Sequence, residues 1–249
     1  PEETVRTGVA SDVVFLEAVE INPVVVHGGG KRINKALEAA GIETKFVNGL
    51  RYTDAASVEV VDQVLSGEVN GEIVEMINSL GGEAKGIAGT DIFTCQRHAP
   101  EGENYGYVGE VMTVNTKPLE ECISKGITPV ISPTARDAEG QIYNCNADIA
   151  AAQAAIALAA KRLVFMSDVP GLLRDPKDAE SLIPHLDIKE VDELKQAGII
   201  ARGMIPKVDS AVSAIEAGVD KVSFVDGRIN HAVLLEIFTD KGVGTEIVK

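Results

Sequence analysis

The sequence predicts an α/β protein, a three-layer αβα sandwich around a mainly parallel central sheet. Two observations predict it. Short runs rich in β-branched and aromatic residues recur along the chain, among them Val24–Val26, Val130-Ile131 and Val222–Val225, with stretches of helical period between them. Glycines mark the joints, as at Gly28–Gly30, Gly41 and Gly140. Strands that alternate with helices pair in parallel, and the crossover helices cover both faces of the sheet. At 249 residues the chain suits one large domain or two closely packed lobes.

The elements follow in order. Pro1-Glu2-Glu3-Thr4 has the proline and acids of a helix start, and Val5, Val9, Val13, Leu16 and Val19 give that helix an apolar face. Val24–Val26 reads as a buried strand and leads through three glycines into a helix at 31–40, with Gly41 as its C-cap. Short apolar pieces stand at Lys45–Val47, Lys85–Ile87 and Ile92–Thr94, with helical period between Asp54 and Leu80. The span 93–115, with its glycine-spaced alternation at Tyr105–Val111, reads as β-hairpin material. A helix near 117–125 precedes strand 129–132. The second half repeats the theme with an Ala-rich helix (148–160), strand 163–166, helices 188–197 and 206–217, strand 221–225, helix 230–238 and strand 244–248.

A net charge of −15, only 4% aromatic residues and no Trp argue against nucleic acid or an anionic membrane surface as partner. A phosphorylated ligand would need focused Lys and Arg side chains, backbone N–H groups and a divalent metal. Cys95, Cys122 and Cys145 have neither CxxC nor Cys/His spacing, and read as reduced thiols without a metal site. With no apolar run of membrane-spanning length and no signal-peptide pattern, a soluble, cytoplasmic protein is expected.

Several constellations can carry chemistry. Gly28-Gly29-Gly30 between a strand and a helix forms an anion site: amides point outward, the helix dipole favours negative charge, and oxygen atoms approach closely. Arg51, at a loop end before a helix capped by Thr53 or Asp54, can clamp a carboxylate bidentately. Asn144-Cys145-Asn146-Ala147-Asp148 offers amides for a substrate and a carboxylate that can orient lysines, or simply caps a helix. Ser167–Leu173 follows a strand directly, where open α/β sheets bind ligands. Lys207 stands in the first turn of a Pro206-initiated helix, where the dipole repels cations. That local violation points to neutralising a transferring phosphoryl group. No P-loop, GxGxxG, HRD/DFG, GxSxG or HExxH pattern is present.

In order along the chain, VVVHGGG (24–30), NGLRYTD (48–54), GYVGEV (106–111), YNCNAD (143–148), MSDVPGLL (166–173), GMIPK (203–207), FVDGR with His231, and EIFTDKGVGT (236–245) resemble the amino acid kinase superfamily, most closely its branch acting on N-acetylglutamate. The resemblance covers essentially the whole chain. It implies a single kinase domain with an N-terminal lobe of about 1–160 for the acceptor and dimerisation, and a C-terminal lobe of about 161–249 for the nucleotide. The implied activity is transfer of the ATP γ-phosphoryl group to the γ-carboxylate of N-acetyl-L-glutamate, the second step of arginine biosynthesis, by positioning and charge neutralisation.

On the matching positions, Gly28, Gly29 and Gly30 would give amides to the phosphoryl region and substrate. Arg51 would hold the α-carboxylate, and Asn144 and Asn146 would help bind the acceptor. Asp148 would organise lysines and Lys207 would stabilise the transition state. Asp168, Gly171, Leu173, Ile199 and Met204 would line the ATP site, with Mg²⁺ carried on the phosphates and no metal ligand of the chain's own. His231, Glu236, Gly242 and Gly244 resemble an arginine effector site. The resemblance also implies a homodimer, a hexamer in forms with a further N-terminal helix, and in some members a PII-type regulator. The family's opening K-x-G-G strand has no counterpart here. Its G-[ST]-G-[KH]-D-G loop reads Gly86-Ile87-Ala88-Gly89-Thr90-Asp91-Ile92, and Lys31 stands where proline is common. Two other readings are therefore carried: a same-fold kinase of another acidic acceptor, of the acetylaminoadipate type, and a catalytically impaired, ligand-sensing relative.

Overall fold

Strand and helix alternate along most of the chain, as the periodicities predict. The structure, a computed structural model, describes residues 2–201 and 203–249; Pro1, part of the expected helix start, lies outside them. The helices are α1 (Glu2–Ala18), α2 (Gly30–Ala39), α3 (Ala55–Asp62), α4 (Asn70–Ser79), α5 (Lys117–Ile123), α6 (Ala147–Ala157), α7 (Val191–Gln196), α8 (Met204–Glu216) and α9 (Ala232–Phe238). The strands are β1 (Val25–Val26), β2 (Lys45–Val47), β3 (Leu50–Tyr52), β4 (Ala84–Ile87), β5 (Phe93–Arg97), β6 (Val108–Val114), β7 (Thr128–Ile131), β8 (Thr134–Arg136), β9 (Ile142–Cys145), β10 (Arg162–Ser167), β11 (His185–Asp187), β12 (Lys221–Asp226) and β13 (Thr245–Val248).

The chain divides into two units, one comprising α1 up to Leu16 together with Ala154–Lys249, the other Glu17–Gln153. Within the second, β1, β7 and β4 lie side by side in parallel, with Val25 opposite Val130 and Val130 opposite Gly86. The run Val24–Val26 is not the buried strand its composition suggests. Val25 and Val26 are half-buried, because β1 has a partner on one side only within this sheet. Helices α4 and α5 pack on the sheet, and α2 packs on the following helical stretch through Ile33, Leu37, Val61, Val64, Leu65 and Val69. That stretch is helical as expected from 54 to 80, but residues Gln63–Val69 between α3 and α4 wind as a π-helix. Strands β5, β6, β9 and β8 close into a small barrel, and β2 and β3 form a separate hairpin.

In the other unit the sheet order is β10-β12-β13-β11. Strands β10 and β12 run parallel from Arg162 opposite Lys221 to Ser167 opposite Asp226, so their carboxyl ends are level. Helices α8 and α9 both pack against β12. Helix α1 belongs with this later part of the chain for a local reason: Asp12, almost fully buried, pairs with His231 at 2.6 Å, and Phe15 meets Phe238 edge to face at 6.0 Å. The three cysteines are buried with free thiols. Among the described residues no helix is long and apolar enough to cross a membrane.

Candidate active site

The glycine run leaves the carboxyl end of β1 and enters α2 with Gly29 as N-cap. None of the three glycines has a positive φ, and Gly29, at φ −175°, is simply extended. Space explains Gly29 instead. A Cβ there would stand 2.6 Å from Leu65 Cδ2 of the π-helical stretch. Gly28 and Gly30 are exposed, with nothing within van der Waals range of an added Cβ at Gly30, so their backbone is open to a ligand.

Arg51 is on a strand and not at a loop end. It lies on β3, where Phe46 of β2 faces it across the hairpin. Its guanidinium is stacked 5.0 Å from the Phe46 ring centroid, and Nη2 donates to the Gly30 carbonyl at 3.3 Å. The residue is only 8% exposed, yet Nη1 has no hydrogen-bond partner among the described residues. Burial pushes its pKa down, and among the described residues no carboxylate compensates the lost hydration.

Of the two capping candidates, Asp54 is the one that caps α3, accepting from the Ser57 N–H at 2.8 Å. That bond holds its carboxyl below the usual range. Thr53 does something the sequence reading did not assign. Fully buried, its hydroxyl donates to the Arg51 carbonyl at 3.0 Å and accepts from Asn144 Nδ2 at 3.2 Å. Asn144 sits on β9, so Arg51, Thr53 and Asn144 form one wall of this unit. The wall is braced by the loop ahead of β6. Thr53 N–H donates to the Tyr105 carbonyl at 3.1 Å, and Tyr107 N–H donates to the Thr53 carbonyl at 2.6 Å. The hairpin tip joins the same loop through Asn48, which donates to Glu103 Oε2 at 2.7 Å and to the Tyr105 hydroxyl at 2.9 Å. Asn146 is a helix cap here: its Oδ1 accepts from the N–H groups of Asp148 and Ile149 at 2.8 and 3.2 Å. Asp148 is half-buried in the first turn of α6.

The residues expected to border the nucleotide all belong to the other unit. Ser167 ends β10, exposed Asp168 follows, and Gly227 N–H ties the ends of β10 and β12 by donating to the Ser167 carbonyl at 2.8 Å. Gly171 needs to be glycine on two counts. Its φ is +139°, and a Cβ would lie 2.5 Å from Thr245 Oγ1, which also accepts from Leu172 N–H at 2.8 Å. Leu173 bridges to Leu182. Ile199 N–H donates back to Leu194 at the end of α7. Met204 opens α8, two residues before the proline expected to start that helix. Of the Ile199–Met204 stretch, Arg202 lies outside the described residues. Lys207 keeps its place in the first turn, half-buried, with Nζ 5.9 Å from the centroid of Phe165, which stacks on Phe224 at 5.4 Å.

Asp226, at the carboxyl end of β12, takes a two-pronged bond from Arg228 (2.9 Å from Nε, 2.7 Å from Nη2), and this holds its pKa below the usual carboxylate range. A depressed folded-state pKa stabilises above the unfolded value of about 3.9 and ceases to as pH falls through the lower folded value. Asp226→Asn should therefore melt below the parent protein at pH 7, with the gap closing only below about pH 4. Thermal melts across that range check it, and a gap constant down to pH 2 would contradict it.

The expected effector residues also lie in this unit. Buried Glu236 accepts from the N–H groups of Val243 and Gly244 at 2.9 and 3.2 Å. Gly242, at φ +60°, could not hold a Cβ, which would come 2.4 Å from the same carboxylate. Glu236 thus shapes the turn before β13. His231, the N-cap of α9, is in a left-handed conformation and is engaged with Asp12.

The profile of the amino acid kinase family matches residues 2–226. An acetylglutamate kinase of Nostoc punctiforme is 49% identical over 249 residues, 99% of this chain and 83% of that one. One from Syntrophomonas wolfei is 47% identical, with 96% and 84% covered. Among solved structures, N-acetylglutamate synthase from Neisseria gonorrhoeae, complexed with coenzyme A and N-acetyl-glutamate, superposes with a TM-score of 0.87 at 26% identity, over 99% of this chain and 56% of that one. Carbamate kinase from Giardia lamblia bound to AMP-PNP shares the fold, with a TM-score of 0.70 at 13% identity over 99% of this chain and 90% of that one. With its family profile matched from the first helix to the end of β12 and its relatives identical at almost half of all positions, the chain belongs to the amino acid kinase family, in its acetylglutamate kinase branch.

Proposed function

We propose that this chain transfers the γ-phosphoryl group of ATP to the side-chain carboxylate of N-acetyl-L-glutamate, the second step of arginine biosynthesis. The observation that carries the acceptor is Arg51. A buried guanidinium with an unpaired nitrogen beside an open glycine run is an incomplete fork, and a carboxylate completes it. Asn144 spends one amide hydrogen on Thr53, leaving its oxygen and second hydrogen to meet the acetamido group. N-acetylglutamate has that combination: an α-carboxylate for Arg51, an amide for Asn144, and a second carboxylate to reach the glycine amides.

In the reaction a γ-carboxylate oxygen attacks the terminal phosphorus in line, the bond to the β,γ-bridging oxygen breaks, and ADP leaves, giving an acyl phosphate. Gly29 and Gly30 amides take up charge on the transferring oxygens, Lys207 neutralises it, and Asp148 orients lysine. Asp168, Gly171, Leu173, Ile199 and Met204 border the nucleotide. No group of three His, Cys, Asp or Glu side chains gathers as a cation site among the described residues. Mg²⁺ would be carried by the nucleotide phosphates, where it would screen their charge. His231, Glu236, Gly242 and Gly244 form the proposed arginine site.

Trapping of the acyl phosphate as a hydroxamate tests the reading. With ATP and Mg²⁺, N-acetyl-L-glutamate should yield hydroxamate and ADP in equal amounts, with kcat/KM well above that for N-acetyl-aminoadipate, aspartate or carbamate. Millimolar arginine in the same assay should slow it. Nucleotide and acceptor binding without ADP release would favour the ligand-sensing alternative, and a better rate with another acceptor would replace the substrate.

A further inference from the structure

Three consecutive glycines have no side chains to brace their peptide planes, and glycine moves among backbone conformations at little cost. If Gly29 N–H is to meet a phosphoryl oxygen, something else must hold its direction. In a trans peptide the C=O of one residue and the N–H of the next point opposite ways within a single plane. Holding the Gly28 carbonyl therefore sets the Gly29 amide.

The Gly28 carbonyl is held. His27 Nδ1 lies 2.9 Å from it, and because a carbonyl only accepts, the proton is on Nδ1. The ring is buried, and burial pushes its pKa down, which favours the neutral form. Its Nε2 is then an acceptor, and Asn70 Nδ2 stands 3.1 Å away to donate to it. The other Asn70 amide hydrogen goes to the Val130 carbonyl of β7 at 2.9 Å. Every partner in this chain of bonds has one role only.

The surroundings are shaped to match. A Cβ on Gly86 would stand 2.2 Å from Asn70 Oδ1, so glycine at that position leaves room for the amide. Leu65 presses on Gly29, and Asn70 follows at once on the π-helical turns that contain Leu65. A π-turn shifts all later residues around the helix axis, and such turns recur at functional sites. Here the shift lets one helical stretch present Leu65 to the glycine run and Asn70 to His27.

We propose that His27 and Asn70 are positioning residues for phosphoryl transfer: Asn70 holds the His27 ring, the ring holds the Gly28 carbonyl, and the Gly29 amide is thereby aimed at the transferring group. The inference deepens the kinase reading above and rests on it.

Kinetics of His27→Leu, His27→Gln and Asn70→Ala in the whole chain, beside ¹⁵N-imidazole NMR of the unaltered protein, test it. The unaltered His27 should carry its proton on Nδ1 alone at neutral pH. His27→Leu and Asn70→Ala should lose about tenfold or more in kcat, with KM for acceptor and ATP within about threefold, the pattern of an interaction realised in the transition state. His27→Gln, which keeps a donor and an acceptor, should recover most of that loss. Leu119→Ala, a fully buried change on α5, should lower the melting temperature and leave kcat alone. A ring protonated on Nε2 alone, or equal kcat for the Leu and Gln variants, would overturn the positioning role by itself. No turnover in the unaltered protein would sink the phosphoryl-transfer reading, and this one with it.

Discussion

Lys207→Ala is expected to lower kcat by roughly two orders of magnitude or more while KM for both substrates moves by less than about threefold. The physical case begins with a misfit. A cation in the first turn of α8 faces the positive end of the helix dipole, an arrangement that costs a few tenths of a kcal/mol or more. The ammonium is set over Phe165, itself stacked on Phe224, so its stem is braced by the sheet. Charge that builds on the equatorial oxygens during transfer is what the ammonium would neutralise. Two corollaries separate this from a structural role. The variant should stay folded, with a cooperative melt, so that the lost rate is not lost structure. Lys207→Arg should not restore the rate, since a planar fork does not reproduce a compact point charge. Steady-state kinetics and melts decide it; a kcat within threefold of the parent would end the assignment.

Arg51→Met is expected to raise KM for N-acetyl-L-glutamate about a hundredfold, with KM for ATP unchanged. A bidentate pair with a carboxylate in a buried setting is worth more than a surface contact, and methionine keeps the apolar stem without the fork. The same substitution should leave stability unchanged or improved. Among the described residues Arg51 is a desolvated charge with one nitrogen unsatisfied, set against the Gly30 carbonyl and the Phe46 face. A loss of melting temperature with an unaltered KM would mean that Arg51 is a scaffold residue.

Elements with strong local periodicity were legible in the chain. Helices at 30–39, 117–123 and 204–216, and strands at 162–167 and 221–226, fall within a few residues of expectation because burial of one face sets their pattern. Strands β3, β8, β9 and β11 were not legible. Each has three or four residues, several of them polar, and exists because a distant segment pairs with it, as β8 does with β9 and β11 with β13. Arg51 was misplaced for that reason: a charged residue in a three-residue strand has no local strand signal. The π-helical turns were hidden as well, since a single inserted residue disturbs helical period too little to stand out. Thr53 looked like a cap because threonine before an aspartate commonly is one. Its bond to Asn144, 91 positions away, has no local trace.

Composition, glycine placement and the ordered run of short motifs determined the fold class and the kind of chemistry, because those depend on local backbone freedom, charge and periodicity. Tertiary structure alone decided that Arg51 is buried with an unmet nitrogen, that Thr53 joins it to Asn144, and that His27 and Asn70 hold the glycine run. Hydrogen-bond partners and burial arise from segments brought together across dozens of residues, and a one-dimensional pattern has no record of which groups will meet or which will be left without water.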